Sequence, residues 1–79
     1  MSDRHRVRLY SRRRCGLCDV ARREILSVGV EFGFEEVFID GDDDLERAYG
    51  LRVPVVLVDG EEQFEVEVEP ARLRALLGA

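Results

Sequence analysis

Two cysteines three positions apart, Cys15 and Cys18 in "SRRRCGLCDV", are the residues of this chain best suited to covalent chemistry. They follow three consecutive arginines, Arg12 to Arg14. A thiol attacks only as its thiolate, which neighbouring cations and the N-terminal end of a helix both stabilise. Three uses of such a pair compete. As a structural staple it would close a very short loop, and the chain-entropy model assigns little stability to that. As a zinc site it would fall short, because zinc normally takes four ligands. The chain offers only two thiols and His5, so a second chain or a carboxylate such as Asp19 would have to complete the set. Disulfide exchange needs nothing further: Cys15 attacks a disulfide, and Cys18 then attacks the mixed disulfide and releases the reduced substrate.

The elements around the pair can be read from periodicity. "RVRLYS", Arg6 to Ser11, alternates polar and apolar and predicts a short strand with Val7 and Leu9 on one face. From Leu17 the period lengthens, and Leu17, Val20, Ala21, Ile25 and Val28 form the stripe of an amphipathic helix that Gly29 can end. Cys15 then falls at the strand-to-helix junction and Cys18 one turn into the helix. "FEEVFID", Phe34 to Asp40, predicts a second strand. Asp42, Asp43 and Asp44 suit the start of a short helix carrying Leu45, Ala48 and Tyr49 and stopped by Gly50. "VPVVLVDG" is almost wholly apolar and predicts a strand covered on both faces. Asp59-Gly60 is a hairpin turn, after which "QFEVEVE" alternates with Phe64, Val66 and Val68 on one side. Pro70 opens a last helix, "PARLRALL", with Leu73, Leu76 and Leu77 on its apolar face. Phe34, Phe38, Val55, Val56 and Leu57 are expected in the core.

The order is β-α-β-α-β-β-α in a single domain, residues 1–79. The first two strands, joined through a helix, should be parallel by a right-handed crossover. The last two should form an antiparallel hairpin. The expected fold is α/β, a four-stranded mixed sheet flanked by helices.

Charge excludes some functions. The net charge is −5, yet residues 1–23 hold eight arginines against Asp3 and Asp19, and the rest holds four arginines against fifteen acids. There is no lysine. An acidic domain whose arginines do not interleave with aromatics beyond Tyr10 is a poor nucleic-acid binder. No run is long enough for a membrane span, and no apolar stretch follows the basic N-terminus as a secretory signal requires. A cytoplasmic location is expected, where paired cysteines serve catalysis or metals more often than structure. "DGDDDLERAYGL" lacks the ligand spacing of an EF-hand loop. His5, set among charged residues, reads as solvated surface.

The segments "LYSRRRCGLCDVARREI" and "YGLRVPVVLVDG" together resemble the glutaredoxin-like branch of the thioredoxin superfamily, from about Val7 to Leu77. The shared features are a strand ending Leu-Tyr-Ser, a dicysteine at a helix start, an acid after the second cysteine, and Val-Pro before a central strand. The resemblance implies a thioredoxin/glutaredoxin-like fold and a thiol–disulfide oxidoreductase in which Cys15 attacks and Cys18 resolves. It also implies a cis Val53-Pro54 bond facing the site, with the Val53 backbone pairing to an extended substrate, and a binding role for Arg12, three positions before the first cysteine.

The departures bear on the substrate. Leu17 stands where glutathione-using relatives tend to carry tyrosine, and "EEQFEVEVEP" replaces their Gly-Gly region with acids that would repel an anionic tripeptide. Glutathione is therefore disfavoured as co-substrate, and no cofactor or metal is expected. The expected partners are a disulfide-containing protein or small molecule and an unidentified thiol reductant, with the chain working as a monomer. The alternative is a non-catalytic thioredoxin-fold binding module that recognises a protein segment near Val53-Pro54.

Overall fold

In a computed structural model, residues 4–78 are described. They form β1 (Arg6–Ser11), α1 (Gly16–Leu26), β2 (Gly33–Phe38), α2 (Asp43–Tyr49), β3 (Val55–Val58), β4 (Glu61–Glu65) and α3 (Pro70–Leu76). The sheet order is β2-β1-β3-β4. β1 runs parallel to β2, with Val7 opposite Phe34, and antiparallel to β3, with Tyr10 opposite Val55. β3 and β4 form the hairpin, and Asp59 and Gly60 both take positive φ, as a two-residue turn of the right twist requires. The Asp59 carboxylate accepts the Arg6 N–H at 2.9 Å and lies 2.5 Å from His5 Nδ1, which ties the hairpin to the start of β1.

Alternation along β1 sends its side chains to two cores. Val7 and Leu9 join Ala21 and Ile25 of α1, Val56, Val58 and Phe64 of the hairpin, Leu73 of α3 and Leu77, which caps its C-terminal end. Tyr10, on the opposite face, joins Ile39 and Val55 in a smaller cluster, against which Leu45 and Tyr49 of α2 pack. Tyr10 and Tyr49 stack with ring centroids 4.2 Å apart. The strand VVLV is covered as its composition predicts: Val55, Val56 and Val58 are buried and Leu57 half-buried.

Four local expectations differ from what is found. The buried face of α1 is Cys18, Ala21 and Ile25, continued by Val28, whereas Leu17 and Val20 face solvent. The helix is thus rotated from the stripe that begins at Leu17, because the small apolar Cys18 is a core residue in its own right. β2 ends at Phe38 rather than Asp40, although Ile39 N–H still donates to Ser11 O at 2.9 Å. Phe38 is exposed and covered by the Arg13 guanidinium, 4.8 Å from the ring centre. β4 stops at Glu65, since Val66 turns to φ 70° and leaves the sheet, so only Phe64 and Val68 of the alternating triad are buried.

One polar network ties α1 to β1 and β2. The buried Ser11 hydroxyl donates to Glu36 Oε2 at 2.7 Å, and Arg22 of α1 clamps both oxygens of Glu36 at 2.7 Å. The Arg22 hydrogen bonds, helped by Ser11, hold the Glu36 carboxyl below its usual range despite partial burial. A carboxyl whose folded pKa is depressed stabilises the fold above its unfolded pKa, and that stability is lost as pH falls through the folded value. Acid unfolding of the native chain should therefore contain a component that starts below about pH 4.5 and is absent from Glu36→Gln. At pH 7 the substitution should cost about 1–3 kcal/mol, the range for removing a charged hydrogen-bond partner. Urea titrations at pH 7 and pH 4 measure both effects.

Candidate active site

The two cysteines occupy the junction between β1 and α1. After Ser11 the chain turns through Arg12 to Arg14, and Arg14 adopts φ 56°, a left-handed conformation that side chains bearing a Cβ seldom take. This reversal sets Cys15 in extended conformation as the N-cap of α1, with its Sγ accepting the Cys18 N–H at 3.2 Å. Its carbonyl accepts the Asp19 N–H at 3.1 Å, which begins the helix. Cys15 is half-exposed and Cys18 fully buried. The two sulfurs are joined in a disulfide with Cα atoms 5.2 Å apart, inside the ordinary range for such bridges. One thiol at a helix N-terminus that solvent can reach and a second held inside is an arrangement able to carry out disulfide exchange.

The arginines have separate surroundings. Arg12 makes a fork-on-fork pair with Glu46 of α2 at 2.7 and 2.8 Å, and its Nη2 donates to Gly50 O at 3.1 Å. Its guanidinium therefore straps the cysteine loop to the C-terminal end of α2. A side chain at position 50 would collide with this strap: a Cβ there would lie 2.4 Å from Glu46 O and 3.2 Å from Arg12 Nη2. Arg13 donates its backbone N–H to Asp40 Oδ1 at 2.9 Å. Arg14 points to solvent beside Cys15.

Val53 and Pro54 come to the same end of the sheet. Tyr10 faces Val55 across β1 and β3, so the residues after Tyr10 and those before Val55 leave the sheet side by side. The Val53-Pro54 peptide is cis, with Pro54 buried and Val53 half-buried. Val66 N–H donates to Pro54 O at 2.8 Å and to Arg52 O at 3.2 Å, which anchors this loop to the end of β4. Arg52 reinforces it, bonding Glu62, Glu65 and the Ala48 carbonyl while lying over the Tyr49 ring. Leu51 is fully exposed next to the loop.

His5 lies at the other end. It pairs with Asp59 before β1 begins, and the six residues of β1, at about 3.3 Å each, separate it from the cysteines. It is neither freely solvated nor available to Cys15 as a base or to the thiols as a co-ligand. The residues that sequence reasoning missed are Glu46 and Gly50, partners of Arg12, and Val66, the anchor of the proline loop. Glu46 and Gly50 lie 34 and 38 residues from Arg12, and no local pattern marks either contact. A valine with positive φ runs against its own preference, so Val66 carried no signal either.

Comparison with known proteins agrees with this geometry. The model of a glutaredoxin-like domain (DUF836) matches residues 6–78. The uncharacterized protein Rv0508 of Mycobacterium tuberculosis is 35% identical over 80 residues, covering 92% of this chain and 82% of that protein. The crystal structure of XcR50 from X. campestris superposes with a TM-score of 0.78 at 43% identity, covering 90% of this chain and 93% of that one. A thioredoxin from Halobacterium salinarum superposes with a TM-score of 0.65 at 25% identity, covering 96% of this chain and 74% of the other. With its mixed four-stranded sheet, its three helices and a paired-cysteine turn, this thioredoxin-like chain belongs to the glutaredoxin-like domain family.

Proposed function

We propose that the protein is a dithiol thiol–disulfide oxidoreductase, with Cys15 as nucleophile and Cys18 as resolving thiol. The observation that carries this reading is the asymmetry of the pair: Cys15 caps a helix and meets solvent, while Cys18 is buried one turn later. In the reduced protein the Cys15 thiolate attacks one sulfur of a substrate disulfide. The substrate S–S bond breaks, its other sulfur departs as a thiolate that takes a proton from water, and a mixed disulfide forms on Cys15. Cys18 then loses its proton and attacks Cys15 Sγ. The second substrate sulfur leaves, two electrons have passed to the substrate, and the Cys15–Cys18 disulfide remains. An external thiol reductant returns the pair to the dithiol state.

Val53 and Pro54 would hold an extended substrate segment beside Cys15. Arg12, whose two Nη atoms serve Glu46 and Gly50, would act chiefly by fixing the cysteine loop. With acids at Glu65, where β4 ends, and at Glu67 and Glu69 beyond it, the substrates are disulfides of proteins or small molecules other than glutathione. The protein works as a monomer, in a reducing compartment where such pairs stay catalytic. Among the described residues, no helix is long and apolar enough to cross a membrane.

Alkylation of the reduced protein at pH 6 tests the reading. An ordinary thiol with pKa near 8.5 is only about 0.3% ionised there. Cys15 should be modified many times faster than such a thiol, and Cys18 much more slowly. If Cys15 reacted no faster than a free thiol, the site would be better described as a protein-binding surface around Val53-Pro54.

A further inference from the structure

The short helix α2 covers only part of its side of the sheet, and the uncovered remainder is a second candidate site. At the β1 end remote from the cysteines, a cavity of about 340 Å³ is lined by Arg4, Arg6, Arg8, Gly33, Leu57 and Asp59, among others. Arg6 and Arg8 are alternate residues of β1, so both project to this face, roughly 6.6 Å apart along the strand. Opposite them in register stand Gly33 and Glu35 of β2, with Leu57 of β3 beside Arg8. Gly33 leaves the floor open, and a Cβ there would meet Arg4 and Arg6 side-chain carbons at 3.9 and 4.0 Å.

The acids that border the cavity are already committed. Glu35 accepts Arg8 Nε at 2.8 Å, Arg8 Nη1 donates to the Tyr10 hydroxyl at 3.2 Å, and Asp59 holds His5 and the Arg6 N–H. The Arg6 guanidinium is exposed and has no ion-pair partner among the described residues. The lining thus combines the unpaired Arg6 guanidinium, one remaining nitrogen of Arg8, an apolar wall at Leu57 and an open floor.

We propose that this cavity binds a small organic phosphate monoester, its dianion bridging Arg6 and Arg8 and its body resting on Leu57. The Arg6 fork matches a pair of phosphate oxygens, and a further oxygen can reach the Arg8 Nη2 that Glu35 and Tyr10 leave over, a spread that a single carboxylate lacks. A volume of this size falls in the usual range for small-molecule sites. The site is separate from the thiols and does not depend on the redox reading.

Titration of the oxidised protein with phenyl phosphate, followed by backbone amide NMR, tests the proposal, with inorganic phosphate and benzoate as the other arms. The expected result is saturable shifts confined to residues 6–8, 33–35 and 57–60. Phenyl phosphate should bind several-fold more tightly than inorganic phosphate, and benzoate more weakly than phenyl phosphate. Arg6→Gln and Gly33→Val should each weaken binding at least tenfold, and the retained amide pattern elsewhere would show that both variants fold. Equal affinity for phosphate and phenyl phosphate would overturn the organic ligand. Shifts that fail to saturate, spread equally to Arg13, Arg14 and Arg23, or persist in both variants would overturn the site.

Discussion

Cys15→Ser should reduce disulfide exchange to the uncatalysed background, whereas Cys18→Ser should keep the first chemical step and stall at the second. The difference follows from the positions of the two sulfurs. Cys15 is the N-cap of α1 and the one of the pair that solvent reaches, so it is the sulfur a disulfide can approach. A serine hydroxyl at position 15 would cap the helix equally well, so the fold should survive while the nucleophile is lost. Cys18 is fully buried and its N–H already donates to Cys15 Sγ, so in the reaction it can meet only a sulfur carried on Cys15. Without it, the substrate should remain attached as a one-to-one adduct, visible as an added mass that a reductant removes. Undiminished turnover in Cys18→Ser would rule out the dithiol route.

Ile25→Ala should remove a large part of the stability. Ile25 has no exposed surface and lies in the main cluster with Leu9, Ala21 and Leu73, where α1 meets the sheet and α3. Truncating a buried aliphatic side chain to alanine costs about 2–5 kcal/mol through lost transfer energy and the cavity left behind. A chain of this length should hold only roughly 4–12 kcal/mol in total at about 0.05–0.15 kcal/mol per residue. Urea unfolding should show a much lower midpoint with an unchanged slope. Leu17→Ala, on the solvent side of the same helix, should change stability by less than about 0.5 kcal/mol. Equal costs at the two positions would mean that the helix is rotated toward the stripe starting at Leu17.

That pair of substitutions also marks where the sequence could be read and where it could not. The strands around Leu9 and Val56, the Asp59-Gly60 turn and the order of the elements were legible, because burial on one or both faces leaves a periodic record and glycine turns leave a local one. The phase of α1 was not. Treating Cys18 only as a reactive group hid its role as a core residue, and the exposed Leu17 and Val20 then stood in for it. Val66 continued the alternation of β4 in its residue types while its backbone left the sheet, a choice made by its bonds to Pro54 and Arg52.

The candidate site divides along the same line. Cys15 and Cys18 could be named from their spacing at a helix start, and Val53 and Pro54 only through the family resemblance. The surroundings of Arg12 could not, because they depend on α2. A carboxylate 34 residues away takes both nitrogens of its fork, and a glycine lets the helix end close enough for a third bond.

The most direct test of the central claim is the dithiol–disulfide equilibrium in glutathione redox buffers, scored by thiol trapping and mass. The account predicts a reversible Cys15–Cys18 disulfide with a midpoint in the range of about −180 to −270 mV spanned by working oxidoreductases. It also predicts that glutathione adducts on Cys15 remain minor, because Cys18 resolves them. A protein that formed no internal disulfide, or that accumulated unresolved glutathione on Cys15, would contradict it.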